Sequence, residues 1–546
     1  MLRVPSMALL AFALPALALE ACTGYAPSAD LGAYCASDDE CGSPFICVYG
    51  ACYDPGTAAL HRVSLEVVPS ASSARPTQQF PDFVVSGQSR SEVHLAPTIH
   101  AHLRVEDSSS GPLAALVTAE TAGAIPGRPL RVDERAASNG LAVLPLISGL
   151  AYGLRVQPDD TTAPPFRPGT LFANSDVDGP QNTVTLQGPE TSTLLHVRGR
   201  VVISPSTPIG IQDLRVQLRA LVGTPPERRT VSSSAITLAT EDARGQFELL
   251  LPSDLTSGLQ LHITPTSSNP FFPVLTLEGL DLDTDTDLGD IAVGDVGLPV
   301  EVSGLIRGPS GPVVGASVSF VGAVGNGLFS TSSVTGADGR YTVNLLPGLY
   351  QVVAVPSVTS SAGLSEVLDP VLVDRVAPGV TQIDLQAQPR ARYSGTVRDR
   401  DGLGVRGATL RASRRGNAPE AQPGPADDVR TVFETRTDAQ GTYELRVDPG
   451  LYELSVVPPS DALLPWRSDL LVAGLGDVER DVELYAAAPF GGRITDEETG
   501  DALAGGLVRA FLVLDDQRVV LVGEDLSDQS GDFSIVLPSF GATTTE

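Results

Sequence analysis

One stretch recurs along this chain, and its recurrence limits the fold more than any other feature. In Thr437 to Pro458, TDAQGTYELRVDPGLYELSVVP, the residues Asp438-Ala439-Gln440-Gly441 spell a tight turn whose Gly supplies a positive φ. Tyr443, Leu445 and Val447 then alternate with Thr442, Glu444 and Arg446, the period of a half-buried strand. Pro449-Gly450 turns the chain, and Tyr452, Leu454 and Val456 alternate again up to Pro458. The pattern predicts a β-hairpin with one apolar face.

An offset of 102 carries Gly441, Tyr443, Pro449, Tyr452 and Pro458 onto Gly339, Tyr341, Pro347, Tyr350 and Pro356 without a gap. Gly245-Gln246-Phe247 and Gly531-Asp532-Phe533 repeat the turn, and Asn139-Gly140-Leu141 is a fainter copy. The turn glycines 140, 245, 339, 441 and 531 are 105, 94, 102 and 90 residues apart. A period near 100 residues built of short strands is too long for a solenoid repeat and fits a string of sandwich domains.

The body therefore divides into units at 98–190, 194–296, 298–389 and 390–486. Their first strands are marked by Ile99/Ala101/Leu103/Val105, Val197/Val201/Ile203, Val300/Val302/Ile306 and Tyr393/Val397. In unit 1 a second strand begins over Leu113 to Val117, and Gly123 to Asn139 reads as a loop. Two pieces are left over. Residues 61–97 carry Leu65, Val67 and Pro69, then Val93 and Leu95; a shift of 389 places them on Leu454, Val456, Pro458, Val482 and Leu484. They look like the second half of a unit. Residues 489–546 look like a first half, with the repeat pattern running to Pro538. An open half-sandwich exposes a strand edge, so one half is expected to complete the other, within a chain or between chains. The rival readings are a prematurely ended reading frame, or 61–97 as an edge addition to unit 1.

Composition narrows the function classes. The chain has 65 acidic and 36 basic residues, a formal charge of −29, which argues against nucleic acid and anionic membrane surfaces as partners. Every basic residue is Arg, so Schiff-base chemistry, a phosphate-loop lysine and lysine isopeptide cross-links are excluded. With 42% apolar residues in regular alternation, the chain is folded rather than disordered. No G-x-S-x-G, H-E-x-x-H or phosphate loop occurs, and a non-enzymatic protein is expected.

The N-terminus reads as an export signal over 1–21, with Arg3 ahead of the apolar run Met7 to Leu19 and Pro15 within it. Leu19-Glu20-Ala21-Cys22 follows. It resembles a bacterial lipobox, with Glu20 as a departure, and the resemblance implies a lipid-modified Cys22 anchoring the protein in the outer membrane. Ordinary cleavage near Ala18 or Ala21, and a secreted protein, is the alternative. Lipidation of Cys22 leaves an even four Cys, namely Cys35, Cys41, Cys47 and Cys52, spaced C-x5-C-x5-C-x4-C. Within 22–57 they are expected to form a two-disulfide knot, Cys35–Cys47 with Cys41–Cys52 preferred, against a four-cysteine zinc site that the absent C-x2-C pairs disfavour.

The scheme φ-x-G-x-φ, G-A-x-V/L, D-x-x-G-x-φ, P-G-x-Y in units 3 and 4, with Gly315-Ala316-Ser317-Val318 and Gly407-Ala408-Thr409-Leu410 as its second-strand marks, resembles the carboxypeptidase regulatory-like domain family (transthyretin-like, CnaB-like). The resemblance covers 300–485 most clearly. It implies an all-β chain of tandem seven-stranded Greek-key β-sandwiches acting as accessory modules without catalytic residues. The resulting expectation is a cell-envelope lipoprotein, a sandwich stalk or a protein-binding and adhesion array. The alternatives are a carbohydrate-binding accessory protein and a non-catalytic subunit of a secreted peptidase or outer-membrane transport system.

Few residues invite a cofactor. Asp281, Asp283, Asp285, Asp287 and Asp290 alternate as the oxygen ligands of Ca²⁺ loops do, but Gly falls late and no Glu closes the loop, so a solvated acidic turn is the favoured reading. Asn174-Ser175-Asp176-Val177-Asp178-Gly179 matches half of such a loop, with Thr185 where Glu belongs. His100 and His102 share a strand face without an evident third ligand. Trp466 is the only Trp, and a sugar-stacking platform has little aromatic material. The segments 123–138, 222–235, 322–333 and 416–429, placed alike in the four units, read as variable loops and the more plausible working surface.

Overall fold

The computed structural model describes residues 46–48, 51–53, 62–84, 90–222, 227–308, 311–355, 366–367, 371–376, 382–386, 388–389, 391–416, 432–447, 450–473, 476–514 and 519–539. The chain is all-β: among these residues the only helical pieces are three-residue 3₁₀ turns. Unit 4 gives the plan. Its strands are Ala391–Arg398, Thr409–Gly416, Val432–Arg436, Thr442–Val447, Gly450–Val457, Arg467–Ala473 and the split seventh, Val478–Glu479 with Val482–Glu483. A three-stranded sheet has the order fourth, first, seventh; a four-stranded sheet has the order third, second, fifth, sixth. The first and seventh strands run parallel. Units 1, 2 and 3 keep this order, with small additional strands in units 2 and 3.

The fifth sandwich is built from both ends of the chain. Ala486–Asp496, Leu507–Val513, Val519–Leu526 and Asp532–Ser539 are its first four strands, and Arg62–Val68, Gln78–Val84 and Arg90–Leu95 are its fifth, sixth and seventh. Arg62–Val68 lies in the middle of the four-stranded sheet, antiparallel to Leu507–Val513, with Leu65 opposite Ala510. Arg90–Leu95 runs parallel to Ala486–Asp496, with Val93 opposite Ile494. Sheet order and strand directions match unit 4, so this sandwich is a circular permutation of the repeat. Val63, Leu65, Val67, Val93 and Leu95 pack in one core with Phe490, Ile494, Val508, Val522, Phe533 and Leu537. Each of the other four units has its own core. Because 62–95 runs directly into unit 1, the covalent chain and this one sandwich together close a circuit.

The recurring turn performs as its Gly predicts. Gly140, Gly245, Gly339, Gly441 and Gly531 have φ between 75 and 84°. In each unit the carbonyl of this Gly accepts the N–H of a first-strand residue: Val105, Val201, Ile306, Val397 or Ile494, at 2.8–2.9 Å. A Cβ at Gly441 would stand 2.6 Å from the Val397 carbonyl oxygen, so the turn needs Gly for space as well as for φ. Asp438 supports the turn by accepting the N–H groups of Gln440 and Thr442 at 2.9 and 2.8 Å.

The strands on either side of Pro-Gly do not pair with each other. Thr442–Val447 pairs with Ala391–Arg398, whereas Gly450–Val457 pairs with Thr409–Gly416 and Arg467–Ala473. The expected hairpin is therefore a crossing from one sheet to the other. A two-residue turn flanked by alternating strands fits both forms; here the apolar faces meet across the core. The Tyr after the crossing is its internal prop: Tyr350 is fully buried and its hydroxyl donates to the Leu346 carbonyl at 2.7 Å.

Candidate functional site

The joined ends are held by more than strand pairing. Arg75 from the N-terminal part forms an ion pair with Asp496 from the C-terminal part, and Arg90 does so with Asp532. Glu497 N–H donates to the Leu95 carbonyl at 3.0 Å, and His94 Nδ1 meets Thr495 Oγ1 at 2.8 Å. Burial works to raise the Asp496 pKa. The N–H groups of Thr499 and Glu498, with Arg75, outweigh it and hold the carboxyl below its ordinary range.

The segments read as variable loops become joints between sandwiches. In unit 1 the expected loop 123–139 contains a strand, Leu130–Ala136, paired with Ala115–Thr121. Arg131, Asp133, Glu134 and Arg135 gave that strand the look of a loop, yet such residues suit the exposed edge that it forms. The turn before it reaches across to the closing sandwich. Arg128 donates to Glu66 at 3.0 and 3.1 Å, and its guanidinium carbon lies 4.5 Å from the ring centroid of Phe511. Gln79 accepts from Ile125 N–H at 3.0 Å and donates to the Arg128 carbonyl at 3.1 Å. Glu66 is 5% exposed and is also within 3.5 Å of Arg509, so the carboxylate at this joint has two cationic partners.

The same segment recurs in the same role. In unit 2, 222–235 holds the strand Glu227–Thr230, and its Thr230 and Ser234 bond to Arg155 and Thr161 of unit 1 at 2.9 and 2.7 Å. In unit 3, 322–333 is a hairpin of Ser317–Val324 and Gly327–Val334. Leu328 exchanges two backbone hydrogen bonds with Val274 of unit 2, and Asn326 N–H donates to the Val293 carbonyl at 2.6 Å. All of the unit 4 segment 416–429 beyond Gly416 lies outside the described residues. The third-strand segment of each of units 1 to 3 thus docks on the preceding sandwich.

Four of the carboxylates that read as cation ligands, Asp178, Asp281, Asp285 and Asp287, accept backbone N–H groups. Asp178 accepts His100 N–H at 2.8 Å, Asp285 accepts His196 N–H at 2.9 Å, and Asp281 accepts Gly258 N–H at 3.0 Å. Asp287 accepts Gly289 N–H at 2.9 Å. Asp384, Asp477 and Asp481 repeat the first two contacts in units 3 and 4, on Leu305, Arg392 and Thr396. Each such Asp, just before or beside the seventh strand, ties that segment to the first strand. Among the described residues no three His, Cys, Asp or Glu side chains gather as a metal site. Cys22, Cys35 and Cys41 lie outside the described residues. Cys47 and Cys52 are register partners in a hairpin of Ile46–Val48 and Ala51–Tyr53. Among the described residues no helix is long and apolar enough to cross a membrane.

Sequence reasoning missed a buried hydroxyl just before the Asp turn. Thr335 accepts Ala316 N–H at 2.8 Å and donates to the Val313 carbonyl at 2.7 Å; Thr437 does the same with Ala408 and Val405, and Ser527 with Gly506 and Leu503. The signal was available as a Thr or Ser directly after the third strand in units 3 and 4 and in the closing sandwich, where unit 1 has Ala137.

No family model and no curated protein matches the chain. Among solved structures, a streptococcal ancillary pilin matches with 12% identity and a TM-score of 0.21, over 53% of this chain and 98% of that one. The Bacillus anthracis TIE protein matches with 8% identity and a TM-score of 0.16, over 71% and 74%. GBS52, the minor pilin of Streptococcus agalactiae, matches with 13% identity and a TM-score of 0.20, over 34% and 95%. At such identities and scores the likeness carries neither a family nor an activity to this chain.

Proposed function

We propose that the protein is a non-catalytic array of β-sandwiches, tethered to the outer membrane through lipid on Cys22, that binds a protein or glycan partner. The observation that carries this reading is the position of Arg62–Val68, the first strand described after the Cys-rich segment. It enters the centre of the closing sandwich, so the segment leading in from the N-terminus joins the array where the chain closes on itself. Of a stalk and an array, the joined ends favour the array. The repeat scheme of 300–485, with parallel first and seventh strands, supports membership of the carboxypeptidase regulatory-like family. An accessory role beside an envelope receptor or peptidase fits the same architecture.

Intact mass and detergent phase partitioning of protein from its native envelope test the anchor. A diacyl or triacyl adduct on Cys22, with the other four thiols in disulfides, is the expected result. An unmodified chain beginning near Cys22 would replace the anchored array with a secreted one. Glycan-array binding and co-purification then separate a glycan partner from a protein partner.

A further inference from the structure

At the joint between units 1 and 2, one guanidinium lacks the counter-ion that its surroundings call for. Arg155 stands in Ala151–Pro158, opposite Thr118 and next to Ala115–Thr121 in the sheet. It is half-buried and its Nη2 donates to the Thr230 carbonyl of unit 2 at 2.9 Å. Burial, then the charges of Arg229, Arg167 and Arg131, pull its pKa from 12.5 down to about 10, and Glu120 alone acts the other way. Two of these neighbours are already neutralised. Arg131 pairs with Asp133 at 2.8 Å and Arg229 with Glu227 at 2.6 Å. Asp133 is further engaged by Thr118 Oγ1. Arg155 and the exposed Arg167 have no carboxylate within ion-pair distance among the described residues.

That arrangement is costly for a half-buried cation beside like charges, and it occurs in a chain with 65 carboxylates available to relieve it. Arg155 uses one of its five N–H donors on Thr230, which leaves a fork suited to two oxygens of one anion. Arg155 and Arg167 lie on neighbouring strands, with Leu154 opposite Gly169 and Val156 opposite Phe166. We propose that the joint between units 1 and 2 binds a sulfate- or phosphate-type oxyanion, gripped by Arg155 and Arg167. The anion completes the joint electrostatically as well as occupying it. The inference goes beyond the tethered-array reading and does not depend on Cys22.

The test uses the full mature chain. Its thermal unfolding is followed in sodium sulfate and in sodium phosphate, against sodium chloride at matched ionic strength. Titration calorimetry with sulfate then compares wild type with Arg155→Gln and with Arg167→Gln, whose side chain is exposed. The expected result is stabilisation by sulfate or phosphate beyond chloride, with at least a tenfold weaker Kd in each variant. Chloride matching sulfate, or Arg167→Gln binding as wild type does, would overturn the site. A sulfated dextran oligomer against neutral dextran then identifies the source: tighter binding than free sulfate marks a glycan-borne anion, and equal binding marks the free ion. Both results support the site.

Discussion

Truncating Leu65 to Ala tests whether the two ends of the chain share one core. Leu65 is fully buried, sits opposite Ala510, and packs with residues more than 400 positions away in sequence. Leu→Ala at such a site costs about 2–5 kcal/mol, the transfer of the lost carbons plus the cavity left behind. A chain of five cores does not unfold in one step, so a global melting curve blurs the effect. Amide hydrogen exchange reads it locally. If Leu507–Val513 opens with the closing sandwich, at about 1.4 kcal/mol per factor of ten, its exchange accelerates roughly 30- to 4,000-fold in Leu65→Ala. Leu445→Ala, in the separate core of unit 4, is the control and should leave 507–513 unchanged. Unaltered exchange at 507–513 in Leu65→Ala, or equal acceleration in the control, would refute the shared core.

Three further outcomes follow from the geometry. Gly441→Ala places a Cβ 2.6 Å from the Val397 carbonyl at φ 80°; a loss above about 1 kcal/mol, confined by exchange mapping to unit 4, is expected. Arg128→Ala removes the Glu66 pairing and the Phe511 contact; about 1–3 kcal/mol should be lost at the joint of unit 1 with the closing sandwich, measured as faster exchange at Ile125 while the core of unit 1 keeps its protection. Acid should loosen unit 2 before the closing sandwich. Burial and then Arg219 hold His262 at about 4, below its ordinary 6.5, so its contribution is complete above 6.5 and erodes as pH falls toward 4. Asp496, held below 3.8, keeps its contribution until lower pH still. Pulsed exchange across a pH series orders the two.

Alternation and punctuation made much of this fold legible. Tyr443, Leu445 and Val447 are buried as their spacing required, and all five turn glycines have the positive φ that the turn needs. What alternation does not encode is the partner of a strand. Residues 442–457 read as a hairpin because a crossing between sheets has the same period and the same Pro-Gly turn. The third strand of unit 1 was hidden by its charges, which suit an edge. Asp285 and Asp178 attracted attention as ligands because a carboxylate that caps a backbone N–H across a sheet looks, in one dimension, like one waiting for a cation. The Arg155 site was invisible for the same reason: residues 131, 155 and 167 meet only through the pairing of four strands of unit 1, and 229 joins them only when unit 2 docks.

The sandwich shared by both termini changes what a single proteolytic cut does. In a linear string, one nick in any linker releases everything beyond it. Here the piece bearing residues 62–95 and the piece bearing 486–539 still hold the same core between them after a cut at any one linker among units 1 to 4. The distal units stay attached without covalent continuity, and two cuts are needed to set a fragment free.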